Sequence, residues 1–216
     1  GRAGGSMIEY IVAQNPDRRI LRRAAAMLEA GGLVVVPTDT SWSAVASIRS
    51  KEGMSQLKKL GERRDRPPTA ICSGLAQAAE LAEIDGGAFR LMKRLAPGPY
   101  VFVLRSSVRV ARDVDLKRQE IGLRIPDHAV PRALVEELGC PLLSATVKRT
   151  MLDPDYGEPE FPEELLFQGG WELEDFPGVD LILDAGEDNE RRLATVLDLR
   201  SGEAELLRAG AGPWPA

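Results

Sequence analysis

The most informative segment of this 216-residue chain is Leu33-Val34-Val35-Val36-Pro37-Thr38-Asp39-Thr40. Its run of aliphatic residues is too short for an isolated helix and favours a strand that is buried on both faces. Proline lacks the amide hydrogen that a sheet needs, so strand pairing is expected to end at Pro37. The hydroxyl and carboxyl groups that follow lie at the carboxyl end of this strand, where α/β proteins often bind ligands. Both a ligand site and a simple polar turn are consistent with this pattern.

The composition is typical of a single globular domain. Hydrophobic residues make up 44% of the chain and charged residues 28%, which is the ordinary range for soluble proteins. No apolar run approaches the roughly 18 to 20 residues that are needed to cross a bilayer. The two cysteines, Cys72 and Cys140, do not form a disulfide framework, so a cytoplasmic location is expected. Residues 1–6 are interpreted as a cloning remnant or disordered tail, and residues 7–216 as one domain.

Charge and histidine content exclude several classes of function. The net charge of -5 argues against non-specific coating of nucleic acid, although it permits a local basic patch. The single histidine, His128, argues against a Ser-His-Asp triad, and we interpret it as a helix cap or surface residue. One histidine and two distant cysteines are a poor zinc set, so no metal site is predicted. The cysteines are interpreted as inert core thiols, and no Walker A or dinucleotide motif is present.

Helix and strand signals alternate irregularly along the chain. A helix over 17–30 is predicted from Asn15 at its cap, Pro16 in its first turn and Gly31 at its end. Further helices are predicted to begin at Ser50 and to cover 73–81, 85–95 and 127–138, the last three capped by Ser73, Asp85 and Asp127. Strands are predicted over 33–37, 69–72, 100–104, 121–125, 141–144, 181–183, 195–199 and 205–208. Residues 148–176 are predicted to be a long loop with one helical turn. This order predicts an α/β fold with a twisted mixed sheet flanked by helices.

Basic residues are concentrated at the end of the second predicted helix and in the segment after it. They are Lys58, Lys59, Arg63, Arg64 and Arg66. One interpretation is a solvated helix end, where cations complement the helix dipole. The other is a phosphate clamp, because lysine and arginine beside a strand end can hold a triphosphate.

Two other strands carry groups suited to ligand binding. The segment Leu142-Leu143-Ser144-Ala145-Thr146 is a second apolar strand that ends in hydroxyls. Arg124 lies within the apolar strand 121–125, and a buried guanidinium without an anionic partner is costly. The partner of Arg124 is expected to be either a protein carboxylate or the carboxylate of a ligand.

Taken together, these segments resemble the YrdC/YciO family, whose best-known members are threonylcarbamoyl-AMP synthases of tRNA modification. The resemblance covers residues 15–211 and rests on the order of the segments. The segments are 31–40, 96–104, 121–128, 143–146, 194–199 and 206–211.

The resemblance implies a positively charged concave face and a reaction. Threonine and bicarbonate form an N-carboxylated amino acid, whose carboxylate attacks the α-phosphorus of ATP, with Mg²⁺ as the expected companion ion, and releases pyrophosphate. By the same resemblance, Thr38, Thr40 and Arg124 bind threonine. The residues implied for the nucleotide are Lys59, Arg63, Arg64, Ser144, Thr146, Thr195 and Arg208. Partners in the tRNA-modifying machinery are also implied.

The chain departs from the synthase pattern at three places. Trp42-Ser43 replaces an aromatic residue followed by glycine, the Lys-x-Arg spacing near Lys59 is not preserved, and Thr146 replaces an asparagine. These changes resemble the YciO branch more than the synthase branch. Three functions therefore remain open: a threonylcarbamoyl-AMP synthase, a non-catalytic protein that binds tRNA or double-stranded RNA, and an enzyme with a different acceptor.

Overall fold

The computed structural model describes residues 6–61, 67–107 and 119–215. The predicted tail therefore lies outside the described residues except for Ser6. Ser6 is buried, and its hydroxyl donates a hydrogen bond to the Phe176 carbonyl at 2.8 Å. The division into a tail and one domain stays a prediction.

Eleven strands and five α-helices are present in these described ranges. The strands are β1 (Met7–Tyr10), β2 (Val34–Val36), β3 (Ser43–Ser47), β4 (Thr69–Ile71), β5 (Ala82–Glu83), β6 (Tyr100–Ser106), β7 (Glu120–Arg124), β8 (Leu142–Thr146), β9 (Leu181–Asp184), β10 (Thr195–Asp198) and β11 (Glu205–Arg208). The helices are α1 (Arg18–Glu29), α2 (Lys51–Lys59), α3 (Leu75–Leu81), α4 (Gly86–Leu95) and α5 (Ala129–Leu138). Short 3-10 helices occupy Arg149–Met151, Pro162–Leu165 and Gly170–Leu173.

All of these strands belong to one sheet. The strand order is β1-β9-β2-β3-β8-β4-β7-β6-β10-β11, and β5 pairs with β6. The sheet contains both parallel pairs, such as β4–β7 and β6–β10, and antiparallel pairs, such as β3–β8 and β6–β7. The predicted mixed α/β sheet is confirmed. Neighbours in this sheet are often distant in sequence, so the folded sheet brings separate segments of the chain together.

The predicted strand at 33–37 is confirmed as β2, and its residues Val34–Val36 are completely buried. It pairs with β3 on one side and with β9 on the other, so it is an interior strand of the sheet, and the burial of both faces agrees with its wholly apolar sequence. The strand ends before Pro37, as the missing amide hydrogen requires.

The caps of three helices differ from the predicted ones. Helix α1 is capped by Asp17 rather than Asn15, because the Asp17 carboxylate accepts a hydrogen bond from the Arg19 amide at 2.8 Å. Helix α3 begins after Gly74 instead of Ser73, and α5 is capped by His128 instead of Asp127. Of the two roles predicted for His128, a helix cap or a surface residue, the structure shows the helix cap. Its Nδ1 atom accepts a hydrogen bond from the Val130 amide.

The segment 148–176 contains more structure than the predicted loop with one turn, since all of the 3-10 helices lie within it. Its apolar residues Phe167, Leu173 and Phe176 belong to the main core. Among the described residues, no helix is both long and apolar enough to cross a membrane.

Candidate active site

A cavity of about 740 Å³ opens on one face of the sheet and is also lined by the segment that follows β8. Its apolar wall includes Val101, Val103 and Val196. Its polar lining residues are Thr40, Ser43, Thr69, Glu120, Arg124, Ser144, Thr146, Lys148, Thr150, Glu158, Arg200 and Arg208.

Strand register explains why these residues share one face. Ser144 lies opposite Thr69, Thr69 lies opposite Gly122, and Gly122 lies opposite Val103. Residues that lie directly opposite each other in neighbouring strands point to the same side of a sheet. Arg124 is two residues from Gly122 on β7 and therefore shares this side. The cavity floor is thus a row of side chains across four adjacent strands.

Gly122 lies within this floor. A Cβ atom at this position would lie 2.9 Å from Val101 Cγ1 and 3.0 Å from Thr69 Oγ1. Any side chain here would crowd the neighbouring strands and project into the cavity, so glycine preserves the depth of the cavity.

Arg124 is held at the cavity wall by the residues that follow β2. Its Nη2 atom donates to Asp39 Oδ1 at 2.6 Å, to Thr40 Oγ1 at 2.7 Å and to Thr38 Oγ1 at 3.3 Å. The other oxygen of Asp39 accepts a hydrogen bond from the Asp127 amide at 3.0 Å. Of the two partners expected for Arg124, the structure therefore contains the protein carboxylate.

One hydrogen-bond donor of the Arg124 guanidinium is not used. Its Nε atom is buried and has no hydrogen-bond partner. Burial lowers the pKa of Arg124, while the charge and hydrogen bond of Asp39 oppose that shift. Arg124 is thus a buried cation whose charge is balanced by Asp39 and whose hydrogen-bonding capacity is incompletely used.

Thr38 stabilises the turn after β2 and also contacts Arg124. Its Oγ1 atom donates to the Ser41 carbonyl at 2.6 Å and accepts hydrogen bonds from the amides of Thr40 and Ser41. Thr40 lines the cavity itself, whereas Thr38 does not appear among the described lining residues. The polar turn and the candidate site, which the sequence left as alternatives, are built from the same residues.

The second hydroxyl strand also reaches the cavity. Ser144 and Thr146 both line it, and Thr146 lies opposite Ser43 in the β3–β8 pair. The Ser144 hydroxyl donates a long hydrogen bond of 3.4 Å to the Thr69 carbonyl. The predicted association of this strand end with Arg124 is therefore present in the geometry.

Of the remaining predicted nucleotide-binding residues, Arg208 lines the cavity and Thr195 does not. Arg208 donates through Nη2 to the Ala194 carbonyl at 2.7 Å. Thr195 is completely buried, and its hydroxyl donates to the Gly212 carbonyl at 2.7 Å. This hydrogen bond joins the C-terminal segment to β10, and the nucleotide contact predicted for Thr195 stays a prediction.

The basic segment is only partly described. Lys59 is exposed at the end of α2 and does not line the cavity, although the next two residues, Leu60 and Gly61, do. Arg63 and Arg64 lie outside the described residues, so their predicted roles remain predictions.

Sequence reasoning missed the cavity residues Lys148, Thr150 and Arg200. The position of Lys148, just beyond the hydroxyl strand β8, is the signal that could have identified it. Arg200 donates through Nε and Nη2 to both carboxylate oxygens of Asp198, and it also forms an ion pair with Glu120. Hydrogen bonding to Arg200 lowers the pKa of Asp198, and the same contact raises the pKa of Arg200.

The described part of the cavity contains charges of both signs. Its lining cations are Arg124, Lys148, Arg200 and Arg208, and its lining carboxylates are Glu120 and Glu158. Asp39 and Asp198 each pair with one of these arginines. The positive concave face stays a prediction, because residues 62–66 of the basic segment lie outside the described residues.

The remaining titratable candidates lie away from this lining. Burial raises the pKa of the Cys72 thiol to about 12, which suits an inert core thiol. Burial also lowers the pKa of His128, against the opposing effect of Glu187, Asp39 and Asp127. No group of three or more His, Cys, Asp or Glu within the described ranges is arranged to hold a metal ion.

Comparisons with known proteins agree with this architecture. The chain is 30% identical to YciO of Escherichia coli K12, a protein described as uncharacterized, over 96% of this chain and 97% of that one. The crystal structure of E. coli YciO superposes with a TM-score of 0.80 at 31% identity and covers 97% of this chain and 98% of the other.

Threonylcarbamoyl-AMP synthases are also among its relatives. The bovine threonylcarbamoyl-AMP synthase is 30% identical over 92% of this chain and 72% of its own length. The structure of Pyrococcus abyssi Sua5 in complex with L-threonine has a TM-score of 0.78 at 24% identity, covers 95% of this chain and 58% of that chain, and shows a shared fold.

A family model with the description "Telomere recombination" matches residues 26–210, which include every described residue of the cavity. The resemblance inferred from the ordered sequence segments is therefore confirmed: this chain belongs to the Sua5/YciO/YrdC family.

Proposed function

We propose that this protein is a threonylcarbamoyl-AMP synthase, which condenses L-threonine, bicarbonate and ATP into threonylcarbamoyl-adenylate, pyrophosphate and water. The observation that carries the proposal is that Arg124, Ser144, Thr146 and Arg208 line a single cavity, although they come from three separated strands. A cavity of about 740 Å³ is of the size that accommodates small-molecule ligands.

The amino-acid end of the proposed complex lies at Arg124 and Thr40. Arg124 lines the cavity and is paired with Asp39, so a ligand carboxylate would share its guanidinium with that residue. Thr40 presents a hydroxyl beside it that already accepts from Nη2. Because Asp39 balances the charge of Arg124, hydrogen-bond geometry rather than net attraction would select the ligand here.

The nucleotide end of the proposed complex lies along β8 and β11. Ser144 and Thr146 offer hydroxyls that can donate or accept, and Arg208 offers a guanidinium. ATP is proposed to enter as its magnesium complex, since Mg²⁺ is usually held by substrate phosphates and few protein groups.

The chemistry requires positioning and charge stabilisation more than acid–base catalysis. In the proposed step, a carboxylate oxygen of N-carboxy-threonine forms a bond to the α-phosphorus, and the bond to the bridging oxygen of pyrophosphate breaks. The electron pair leaves with pyrophosphate, and no proton is transferred in this step. Holding two anions together in one cavity supplies most of the needed rate enhancement.

Pyrophosphate release provides the test. The full chain would be incubated with ATP, Mg²⁺ and bicarbonate, with and without L-threonine, and pyrophosphate would be measured over time. We expect threonine-dependent release that falls at least about tenfold in Arg124→Met and Thr40→Val, because each removes a ligand-facing hydrogen bond. Arg90→Met, on the exposed side of α4, is the matched control. Folded wild-type protein that shows no threonine-dependent release would refute the proposal.

A second candidate function, binding of tRNA or double-stranded RNA without catalysis, is favoured by the position of two lysines. Lys58 and Lys59 are exposed at the end of α2, immediately before cavity residues Leu60 and Gly61. A mobility shift with tRNA that weakens with salt and disappears when Lys58, Lys59 and Arg64 are neutralised would support this function. RNA affinity that is unaffected by these substitutions would exclude this surface.

A further inference from the structure

The segment that follows β8 contributes to the cavity and also makes contacts away from it. Lys148 and Thr150 line the cavity, whereas Arg149 between them points to Glu172 and Phe167. Lys148 carries an ammonium group and Thr150 a hydroxyl group, and the neighbouring Met151 also lines the cavity.

Several contacts hold the side chain of Arg149 in one orientation. Its Nη2 atom donates to Glu172 Oε1 at 3.0 Å, and its guanidinium carbon lies 4.6 Å from the centroid of the buried Phe167 ring. The other oxygen of Glu172 accepts hydrogen bonds from the amides of Gln168 and Gly169 at 2.8 and 3.1 Å. Together these five residues form what we call the clasp.

A backbone contact beside the clasp also holds this segment. Lys148 forms an isolated antiparallel bridge with Leu166, so the chain returns beside its own starting point.

Burial raises the pKa of Glu172, but the two amide hydrogen bonds and Arg149 outweigh it and lower the pKa overall. Glu172 therefore remains ionised and keeps its attraction for Arg149 at neutral pH.

We propose that Lys148 and Thr150 form a subsite for the phosphate chain of the nucleotide, and that Arg149 is a positioning residue which holds them toward the cavity. This inference rests on the proposed function for the nature of the nucleotide. An ammonium group with three donors beside a hydroxyl donor is well suited to phosphate oxygens.

A carboxylate in the same cavity provides a second, independent test of the proposal. Glu158 belongs to the same segment and also lines the cavity. A carboxylate in this position repels phosphate, so Glu158→Gln is expected to strengthen phosphate binding while Lys148→Met weakens it. A subsite for an uncharged group would show neither effect.

The experiment is calorimetric titration of the full chain with three probes: inorganic tripolyphosphate, Mg-ATP and adenosine. In Lys148→Met we expect about tenfold weaker binding of tripolyphosphate and ATP, with adenosine affinity unchanged. Thr150→Val should show a smaller loss of the same kind. Lys93→Met, which removes an exposed lysine on α4, should leave all three affinities unchanged.

The positioning role is tested in the same way. Arg149→Met should weaken tripolyphosphate binding as Lys148→Met does, and Arg149→Lys should restore most of it by renewing the ion pair with Glu172. A loss that Arg149→Lys does not restore would overturn the positioning role. Circular dichroism and thermal unfolding establish that each variant is folded.

The outcomes separate this inference from the proposed function. Unchanged tripolyphosphate affinity in folded Lys148→Met would overturn the subsite even if the wild-type protein makes threonylcarbamoyl-adenylate. Loss of tripolyphosphate binding in that variant would support the subsite even if no pyrophosphate is released by the wild type. An equal loss of adenosine and tripolyphosphate affinity would overturn the subsite, because it indicates a general change in the cavity.

Discussion

The Arg124 guanidinium donates to the Asp39 carboxylate at 2.6 Å, and the two side chains are only 6% and 13% exposed. This ion pair joins the end of β7 to the turn after β2, two segments that lie on either side of β3, β8 and β4 in the sheet. It also connects stability to the candidate site, because the same guanidinium lines the cavity.

Removing one member of this pair is expected to be costly. Asp39→Ala leaves a buried guanidinium without its charge partner and should lower the free energy of unfolding by about 3 to 5 kcal/mol, measured by urea denaturation. The double variant Asp39→Ala with Arg124→Met should recover part of this loss. Glu190→Ala, which breaks the exposed pair with Arg192, should cost less than about 1 kcal/mol. A loss below about 1 kcal/mol in Asp39→Ala would contradict a structural role for the pair.

Thr195 is expected to affect the C-terminal segment rather than the ligand. Thr195→Val removes the hydrogen bond to the Gly212 carbonyl and should lower stability by about 1 to 2 kcal/mol. Hydrogen exchange at the Ala211 amide, which donates to the Leu193 carbonyl, should become faster. Tyr100→Phe, which removes the hydrogen bond to the Pro213 carbonyl, should act in the same direction. Loss of ATP affinity at unchanged stability would instead indicate a direct contact with the nucleotide.

A side chain at Gly122 is expected to reduce both stability and ligand binding. Gly122→Ala should lower the free energy of unfolding by about 1 to 3 kcal/mol, because the new methyl group meets Val101 and Thr69. It should also weaken ligand binding, since the floor of the cavity rises. Gly87→Ala, at an open helical position in α4, is the matched control and should raise stability by about 0.5 to 1 kcal/mol. Equal stability of the two variants would show that the floor tolerates a side chain.

His128 predicts a pH dependence of stability. Burial lowers its pKa in the folded state below the ordinary value, so the unfolded chain binds the proton more readily. Its contribution to stability is therefore present above about pH 6.5 and is lost as the pH falls through that value toward the lower folded pKa. His128→Asn keeps a good capping residue but cannot titrate. Urea denaturation at pH 5 to 8 should show a smaller loss on acidification in this variant; an unchanged profile would assign the effect to other groups.

Local chemistry made much of the architecture predictable. The apolar run of β2, the stop at Pro37 and the capping residues Ser50 and Asp85 each depend on a few neighbouring residues, and all of them agree with the structure. The cap of α1 was placed at Asn15 instead of Asp17 because both residue types cap helices well, and only the observed hydrogen bond distinguishes them.

Other features depend on contacts between distant parts of the chain and could not be predicted from local sequence. Strand β3 was not predicted because Ser43–Ser47 is a run of small residues and one valine, which becomes a strand through its pairing with β2 and β8. Arg124 was recognised as needing an anion, but its selection of Asp39 depends on how β2 and β7 are placed. Lys148 follows the hydroxyl strand β8, a position that could have identified it, whereas Arg200 carried no local pattern and is brought to the cavity only by the folded sheet.

The row Ser144-Thr69-Gly122-Val103 across the sheet has a consequence for how this protein can change. In these strands the neighbouring residues Leu143, Ala70 and Leu123 face the opposite side and are buried in the core. The strands that form the cavity floor are therefore positioned by the core residues that pack on their opposite face. Repacking that core offers a way to alter ligand preference without substituting a single residue that touches the ligand.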